Sequence, residues 1–115
     1  MNYPYDITSV AVLTNTGEVL SSPPENEDFI TEVSVEKKED SAEKDYIFVA
    51  VYNTNGILLN IDCAEANFDT NSDYASFYFS IPAQRAEIGS IRAFIWSGVN
   101  SMNPLAEIKT ISFTN

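Results

Sequence analysis

Histidine is absent from this chain of 115 residues, and cysteine occurs only once. The lack of histidine excludes the usual general base, the most common metal ligand and every Ser-His catalytic triad. A single cysteine excludes an internal disulfide and a metal cluster built from cysteine thiolates. We therefore expect a protein that is not an enzyme.

Basic residues are also scarce, since six lysines and arginines stand against 17 aspartates and glutamates, for a net charge of −11. This balance argues against nucleic acid and against anionic membrane surfaces as partners. No apolar run approaches the roughly 18 residues needed to span a bilayer, so we expect no membrane insertion. A basic start followed by an apolar stretch is missing as well, and these residues therefore predict no signal peptide.

Alternating apolar residues predict β-strands along most of the chain, and turn residues separate the strands at short intervals. The pattern predicts an all-β fold, a seven-stranded β-sandwich of the immunoglobulin or fibronectin type III kind, with a small barrel as the competing architecture. We expect residues 6–115 to form a single β-sandwich domain and residues 1–5 to be a linker or an added start. The seven principal strands are predicted at 7–13, 29–35, 46–52, 57–64, 74–81, 91–96 and 107–113, with a short segment at 18–20 after the first turn.

Two tyrosines suggest a binding surface. Tyr74 and Tyr78 project from the outer face of one predicted strand, and a rise of about 3.3 Å per residue places their rings roughly 13 Å apart. Sugars expose C–H faces that stack on flat rings, so the pair is a candidate platform for a chain of sugar units. The alternative is that both tyrosines only cover a sheet face or pack against cross-strand neighbours.

Calcium is a weaker candidate ligand. Asp69, Asn71 and Asp73 place oxygen atoms at alternate positions, as the start of an EF-hand loop does. Tyr74 then stands where that loop needs glycine, and the segment leads into a strand instead of a helix. A polar turn that feeds a strand is therefore the favoured interpretation, and we expect no other cofactor.

The remaining aromatic residues and the cysteine are more consistent with packing. Tyr46 and Tyr52 share one strand face, but Phe48 lies between them and favours a core position. Trp96 ends a predicted strand, where a lone tryptophan is more often a core plug than a ligand contact. Cys63 has no cationic neighbour in sequence, so we expect a buried or half-buried thiol of ordinary reactivity.

Two stretches together carry a family resemblance. Residues 48–58 form a strand, a turn and a returning strand, and 91–96 are followed by Met102, Pro104 and Leu105. Their order and spacing, over about residues 46 to 105, resemble a β-sandwich accessory module of large secreted or cell-surface proteins of Gram-positive bacteria. Many proteins that carry this module are polysaccharide-degrading enzymes. In the resemblance, Trp96 and the Pro-Leu pair are structural and close one end of the sandwich.

Two positions depart from the family pattern, because Arg92 stands in place of the usual lysine and Ser97 in place of the usual aspartate after the tryptophan. The first change keeps the positive charge, whereas the second removes a carboxylate from the start of the loop after Trp96.

The resemblance implies a non-catalytic accessory module that is extracellular or at the cell surface as part of a larger protein. Its partner would be a polysaccharide or a neighbouring protein domain. The alternative is a structural spacer or an adhesion-type protein-interaction module, with an exposed strand edge or apolar patch as the contact. The least favoured hypothesis is a hydrolase. Glycoside hydrolysis needs two carboxylates at a fixed distance in a cleft, whereas the acidic residues of this chain cluster in predicted loops.

Overall fold

The structure, a computed structural model, describes residues 3–39, 44–97 and 104–113. These residues form strands and no helix, so the predicted all-β class is confirmed. There is one strand more than the seven predicted, because the short segment after the first turn pairs with β1. The eight strands are β1 (Tyr5–Leu13), β2 (Val19–Leu20), β3 (Phe29–Lys37), β4 (Tyr46–Asn53), β5 (Leu58–Glu65), β6 (Tyr74–Ile81), β7 (Ile88–Trp96) and β8 (Lys109–Ser112).

The strands form two antiparallel sheets. The first sheet has the order β2-β1-β3-β6, and the second has the order β5-β4-β7-β8. Three connections are hairpins within a sheet, and the chain crosses between the sheets after β3, β5 and β6. As a result β6 is an edge strand that pairs only with β3, and β5 is an edge strand that pairs only with β4.

The core lies between the two sheets and follows from the alternation of each strand. In β6 the exposed tyrosines and serines alternate with Ala75, Phe77, Phe79 and Ile81, of which the last two are buried. Burial of each such side chain contributes about 1.5–3 kcal/mol. The largest fully buried side chains include Phe29, Val33, Val35, Ile47, Val49, Val51, Ile81, Ile91 and Ile95.

Two predicted hairpin turns are present, and each uses a glycine with a positive φ. Gly17 has φ 93° and Gly56 has φ 79°, a region that residues with a Cβ rarely adopt. In the second turn, Oδ1 of Asn53 accepts hydrogen bonds from the backbone N–H groups of Asn55 and Ile57, both at 2.9 Å. The Asn53 side chain thus accepts hydrogen bonds from backbone N–H groups that the turn leaves without a partner on the opposite strand.

The folded domain begins earlier than predicted. We expected residues 1–5 to lie outside it, but Tyr5 starts β1 and is buried. The Tyr5 hydroxyl donates a hydrogen bond of 2.6 Å to Oδ2 of the buried Asp45, and the Pro4 carbonyl accepts one of 2.7 Å from the Lys38 N–H. The Pro4 carbonyl therefore holds the start of the first strand beside the end of β3.

The same end of the sandwich carries the residues of the family resemblance. Pro104 forms an isolated antiparallel bridge with Trp96, and the Leu105 N–H donates to the Ile95 carbonyl at 2.9 Å. Leu105 also packs against the core. Met102, the remaining marker, lies outside the described residues.

Candidate functional site

The outer face of the first sheet holds three cross-strand pairs in a row. The register of β3 and β6 places Tyr74 opposite Glu36, Ser76 opposite Ser34, and Tyr78 opposite Glu32. Because side chains two residues apart share a face, all six project to the same side. We refer to these residues as the tyrosine–glutamate ladder, and their members are Glu32, Ser34, Glu36, Tyr74, Ser76 and Tyr78.

A hydrogen bond between side chains joins each of the three cross-strand pairs of the ladder. The Tyr74 hydroxyl donates to Oε2 of Glu36 at 3.1 Å, and the Tyr78 hydroxyl donates to Oε2 of Glu32 at 3.0 Å. Between them the hydroxyl oxygens of the two serines lie 3.1 Å apart. Both rings are therefore held in a direction that crosses from the edge strand toward the middle of the sheet.

The hydrogen bonds do not bury the tyrosines, since 66% of Tyr74 and 62% of Tyr78 stays exposed. Tyr78 lies four positions after Tyr74, which corresponds to roughly 13 Å along β6. The predicted geometry of two accessible rings on one outer face is therefore present. Whether they bind sugar stays a prediction.

Negative charge surrounds the ladder. Asp6 of β1 lies directly opposite Glu36, and Asp73 precedes Tyr74. The hydrogen bond to Glu36 and the charge of that carboxylate raise the pKa of Tyr74, and Glu32 raises the pKa of Tyr78 in the same way. Both rings therefore stay neutral donors at physiological pH.

Sequence reasoning found the tyrosines but missed their partners. The alternation of 29–35 places Glu32 on the outer face of its strand, and this signal was available. The pairing of β3 with β6 was not, because some 40 residues and two strands of the other sheet separate them. The carboxylates therefore become visible only once the strand order is known.

The outer face of the second sheet is aromatic in a different way. Phe48 and Phe94 lie opposite each other, with ring centroids 5.3 Å apart, and Trp96 contacts both rings at 4.8 and 4.7 Å. Tyr46 and Tyr52 pack beside them. We call these five residues the outer aromatic cluster. The expectation that Trp96 plugs the core is corrected, since this cluster is separate from the core between the sheets.

Arg92 contacts one ring of the outer aromatic cluster. It lies on the same outer face as Trp96, but its guanidinium sits over the Tyr52 ring, 5.1 Å from the centroid, and not over Phe94 or Trp96. This geometry is a cation–π contact, which stabilises the surface of the second sheet.

The calcium candidates fall in the loop between β5 and β6. The Ser72 N–H donates to the Asp69 carbonyl at 3.0 Å, and the Asp73 carbonyl accepts from the Lys37 N–H at 2.7 Å. Within 3–39, 44–97 and 104–113, no three carboxylate, thiol or imidazole groups come together in a way that could hold a metal ion. Calcium binding by Asp69, Asn71 and Asp73 stays a prediction.

The edge strand β5 holds the cysteine. Cys63 is exposed, so the prediction of a buried or half-buried thiol is wrong. The reason is that β5 has a neighbour on one side only, and Cys63 lies opposite Phe48 on the outer face of the sheet. Leu58 and Ile61 on the same strand, and Ile57 just before it, are exposed as well.

A cleft of about 280 Å³ opens at the end of the sandwich away from Trp96 and Pro104. The loops after β2 and β6 form it, with Pro23, Pro24 and Arg85 among its lining residues. The tyrosine–glutamate ladder does not contribute to this cleft. No predicted site residue lies in it.

Searches with the sequence find no matching protein-family model and no significantly similar curated protein. In the described part of the chain, no helix has the length and apolar character that crossing a membrane requires.

Solved structures do match the fold. The C-terminal domain of wzt aligns with a TM-score of 0.69 at 14% identity, over 99% of this chain and 75% of that one. β-Glucuronidase 2 of Bacteroides uniformis, covalently bound to cyclophellitol-6-carboxylate aziridine, aligns with a TM-score of 0.63 at 10% identity. A calcium-binding mutant of that enzyme gives 0.61 at 11% identity.

The coverage of these structures differs. The alignment takes in 96% of this chain but only 14% of each glucuronidase chain. This chain is therefore similar to one small part of a carbohydrate-related enzyme, and the likeness shows a shared two-sheet β-sandwich fold.

Proposed function

We propose that this domain is a non-catalytic accessory module of a larger secreted or cell-surface protein and that it contacts carbohydrate through Tyr74 and Tyr78. The observation that carries the proposal is the tyrosine–glutamate ladder, in which two exposed rings are fixed in place beside carboxylate and hydroxyl groups. A fixed ring loses little conformational freedom on binding, which favours affinity.

The chemistry of the ladder suits a sugar chain. A ring face offers apolar surface to the C–H groups of a sugar, and the carboxylates of Glu32 and Glu36 accept hydrogen bonds from sugar hydroxyls. An ionised carboxylate can accept more hydrogen bonds than the one from its tyrosine. Two tyrosine–glutamate pairs along one strand suit a linear chain better than a single monosaccharide.

The fold supports the module assignment. With the two-residue β2 set aside, three strands form one sheet and four form the other, a division that supports a fibronectin type III-like sandwich. The similarity to about a seventh of a glucuronidase chain also suits a domain carried within a larger protein. Extracellular or cell-surface localisation belongs to this proposal.

The test is retention of the isolated domain on a panel of insoluble and gel-embedded polysaccharides, with and without calcium. We expect retention on at least one glycan and its loss in Tyr74→Ala/Tyr78→Ala. Tyr52→Ala serves as the control, because it removes a tyrosine from the other sheet and should leave retention unchanged. Equal retention of all three proteins would move the site away from the ladder.

The calcium arm addresses Asp69, Asn71 and Asp73 separately. Retention that is lost with a chelator and restored by calcium would support a metal site in this loop. Retention that is the same in both buffers would remove calcium from the proposal and leave the tyrosine pair intact.

Protein interaction is the second candidate function, and one observation favours it. Leu58 and Ile61 are about half exposed on the edge strand β5, whose unpaired backbone groups can add a strand from a partner. Concentration-dependent self-association, or co-purification of a neighbouring domain, that is lost in Ile61→Lys would support this function. Retention on glycan by the same variant would separate the two surfaces.

A further inference from the structure

The charge distribution around the tyrosine–glutamate ladder points to the class of sugar. Strands β1, β3 and β6 contain a single basic residue, Lys37 at the end of β3. Its ammonium group lies 5.4 Å from the centroid of the Phe68 ring, which packs against the core, so Lys37 faces away from the ladder. Each exposed tyrosine ring is thus accompanied by a carboxylate on a face whose strands supply no cation.

This arrangement opposes some glycans and favours others. The net charge of −11 and the carboxylates of Glu32, Glu36 and Asp6 repel uronic acids and phosphate- or sulfate-bearing sugars. A protonated amino group on a sugar is stabilised here by two interactions. One is a charge-assisted hydrogen bond to a carboxylate, and the other is a cation–π contact with the face of the neighbouring tyrosine ring. A neutral sugar gains only the contacts that do not depend on charge.

We propose that the ladder selects linear glycans whose sugars carry protonated amino groups, with Glu32 and Glu36 as the specificity-determining residues. The inference rests on the proposed function, because it names the ligand class of the same face. Two tyrosine–glutamate pairs, roughly 13 Å apart along β6, engage two separate sugars of one chain. The hydroxyl groups of Ser34 and Ser76 lie between the two tyrosines. They exchange hydrogen bonds with the sugars that lie between the two tyrosine-bound sugars.

Three β-1,4-linked hexamers test the inference, because glucosamine, N-acetylglucosamine and glucose differ only at the second carbon. Affinity is measured by calorimetry at low ionic strength and at a mildly acidic pH that keeps the amino groups of the sugars protonated. We expect the glucosamine hexamer to bind about tenfold more tightly than the glucose hexamer, which corresponds to about 1.4 kcal/mol. Added salt should reduce this preference.

The variant Glu32→Gln/Glu36→Gln removes the two charges and keeps an oxygen acceptor for each tyrosine hydroxyl. We expect its affinity for the glucosamine hexamer to fall to the level of its affinity for the glucose hexamer, so that the preference is lost. Glu18→Gln/Glu107→Gln is the matched control, since it removes two charges at exposed positions away from the ladder. It should keep the full preference.

The outcomes separate the two proposals. If all three hexamers bind equally and Tyr74→Ala/Tyr78→Ala abolishes binding, the amino-sugar inference is overturned and the proposed function stands. If the control variant loses the preference as much as the ladder variant does, the effect is general attraction to an acidic protein and the inference is again overturned. If no hexamer and no polysaccharide binds, both proposals fail together.

Discussion

The two sheets of this sandwich present aromatic residues to their outer faces in opposite ways. On the second sheet, Phe48 and Phe94 come from neighbouring central strands, and each ring covers the other. On the first sheet, Tyr74 and Tyr78 come from an edge strand and reach toward carboxylates instead of other rings. Phe48 and Phe94 are buried as a result, and the other members of the outer aromatic cluster are half-buried, whereas the tyrosines of the ladder stay accessible.

This contrast teaches that the number of aromatic residues on a sheet face says little about binding. What matters is the partner of each ring. Rings that pair with one another remove apolar surface from water and stabilise the fold. Rings that pair through a terminal hydroxyl with a polar group keep their faces free for a ligand.

The largest difference between the two faces should appear in stability. Phe48→Ala removes a nearly buried ring from the outer aromatic cluster, so we expect the free energy of unfolding to fall by about 3 kcal/mol. Tyr78→Ala removes an exposed ring, and the expected change is within about 0.5 kcal/mol. Urea denaturation followed by Trp96 fluorescence measures both. Similar losses in the two variants would contradict the comparison.

A smaller change in the free energy of unfolding is expected for the cation–π contact of the outer aromatic cluster. Arg92 lies opposite the buried Ala50, and its guanidinium covers the Tyr52 ring. Arg92→Ala should lower the free energy of unfolding by about 0.5–1 kcal/mol through the lost cation–π contact. Arg85→Ala, at an exposed loop position, is the control and should change it less. Equal effects of the two substitutions in urea denaturation would show that the ring contact adds nothing.

Local pattern was sufficient to predict much of the fold. The alternation of β6 correctly placed its tyrosines outside and Phe79 inside, and the Asn53–Gly56 turn was read from residue types that tolerate it. These features depend on neighbours in the sequence. A single strand therefore carries the information needed to assign its own two faces.

Features that depend on the order of the strands in the sheets could not be predicted from the sequence. Trp96 was misplaced because both faces of its strand are apolar, so the sequence does not show which face lies against the other sheet. Cys63 was misplaced because the sequence does not show that its strand lies at an edge. The role of Glu32 required the β3–β6 pairing. Tyr5 required a contact with Asp45, 40 residues away. Each miss involves a partner that is distant along the chain.

The smallest expected effect concerns the hydrogen bonds of the ladder at alkaline pH. Hydrogen bonds and charge from Glu36 and Glu32 raise the pKa of Tyr74 and Tyr78 above the ordinary tyrosine value of 10.0. The stability they contribute is therefore complete below about pH 10 and is lost as pH rises through the folded-state pKa values. Both side chains are mostly exposed, so NMR titration of each ring is a better measurement than unfolding. In Glu32→Gln the pKa of Tyr78 should fall toward its ordinary value while that of Tyr74 stays the same, because each carboxylate acts on its own rung. A Tyr78 pKa that is identical in the two proteins would show that the Tyr78–Glu32 hydrogen bond does not form in solution.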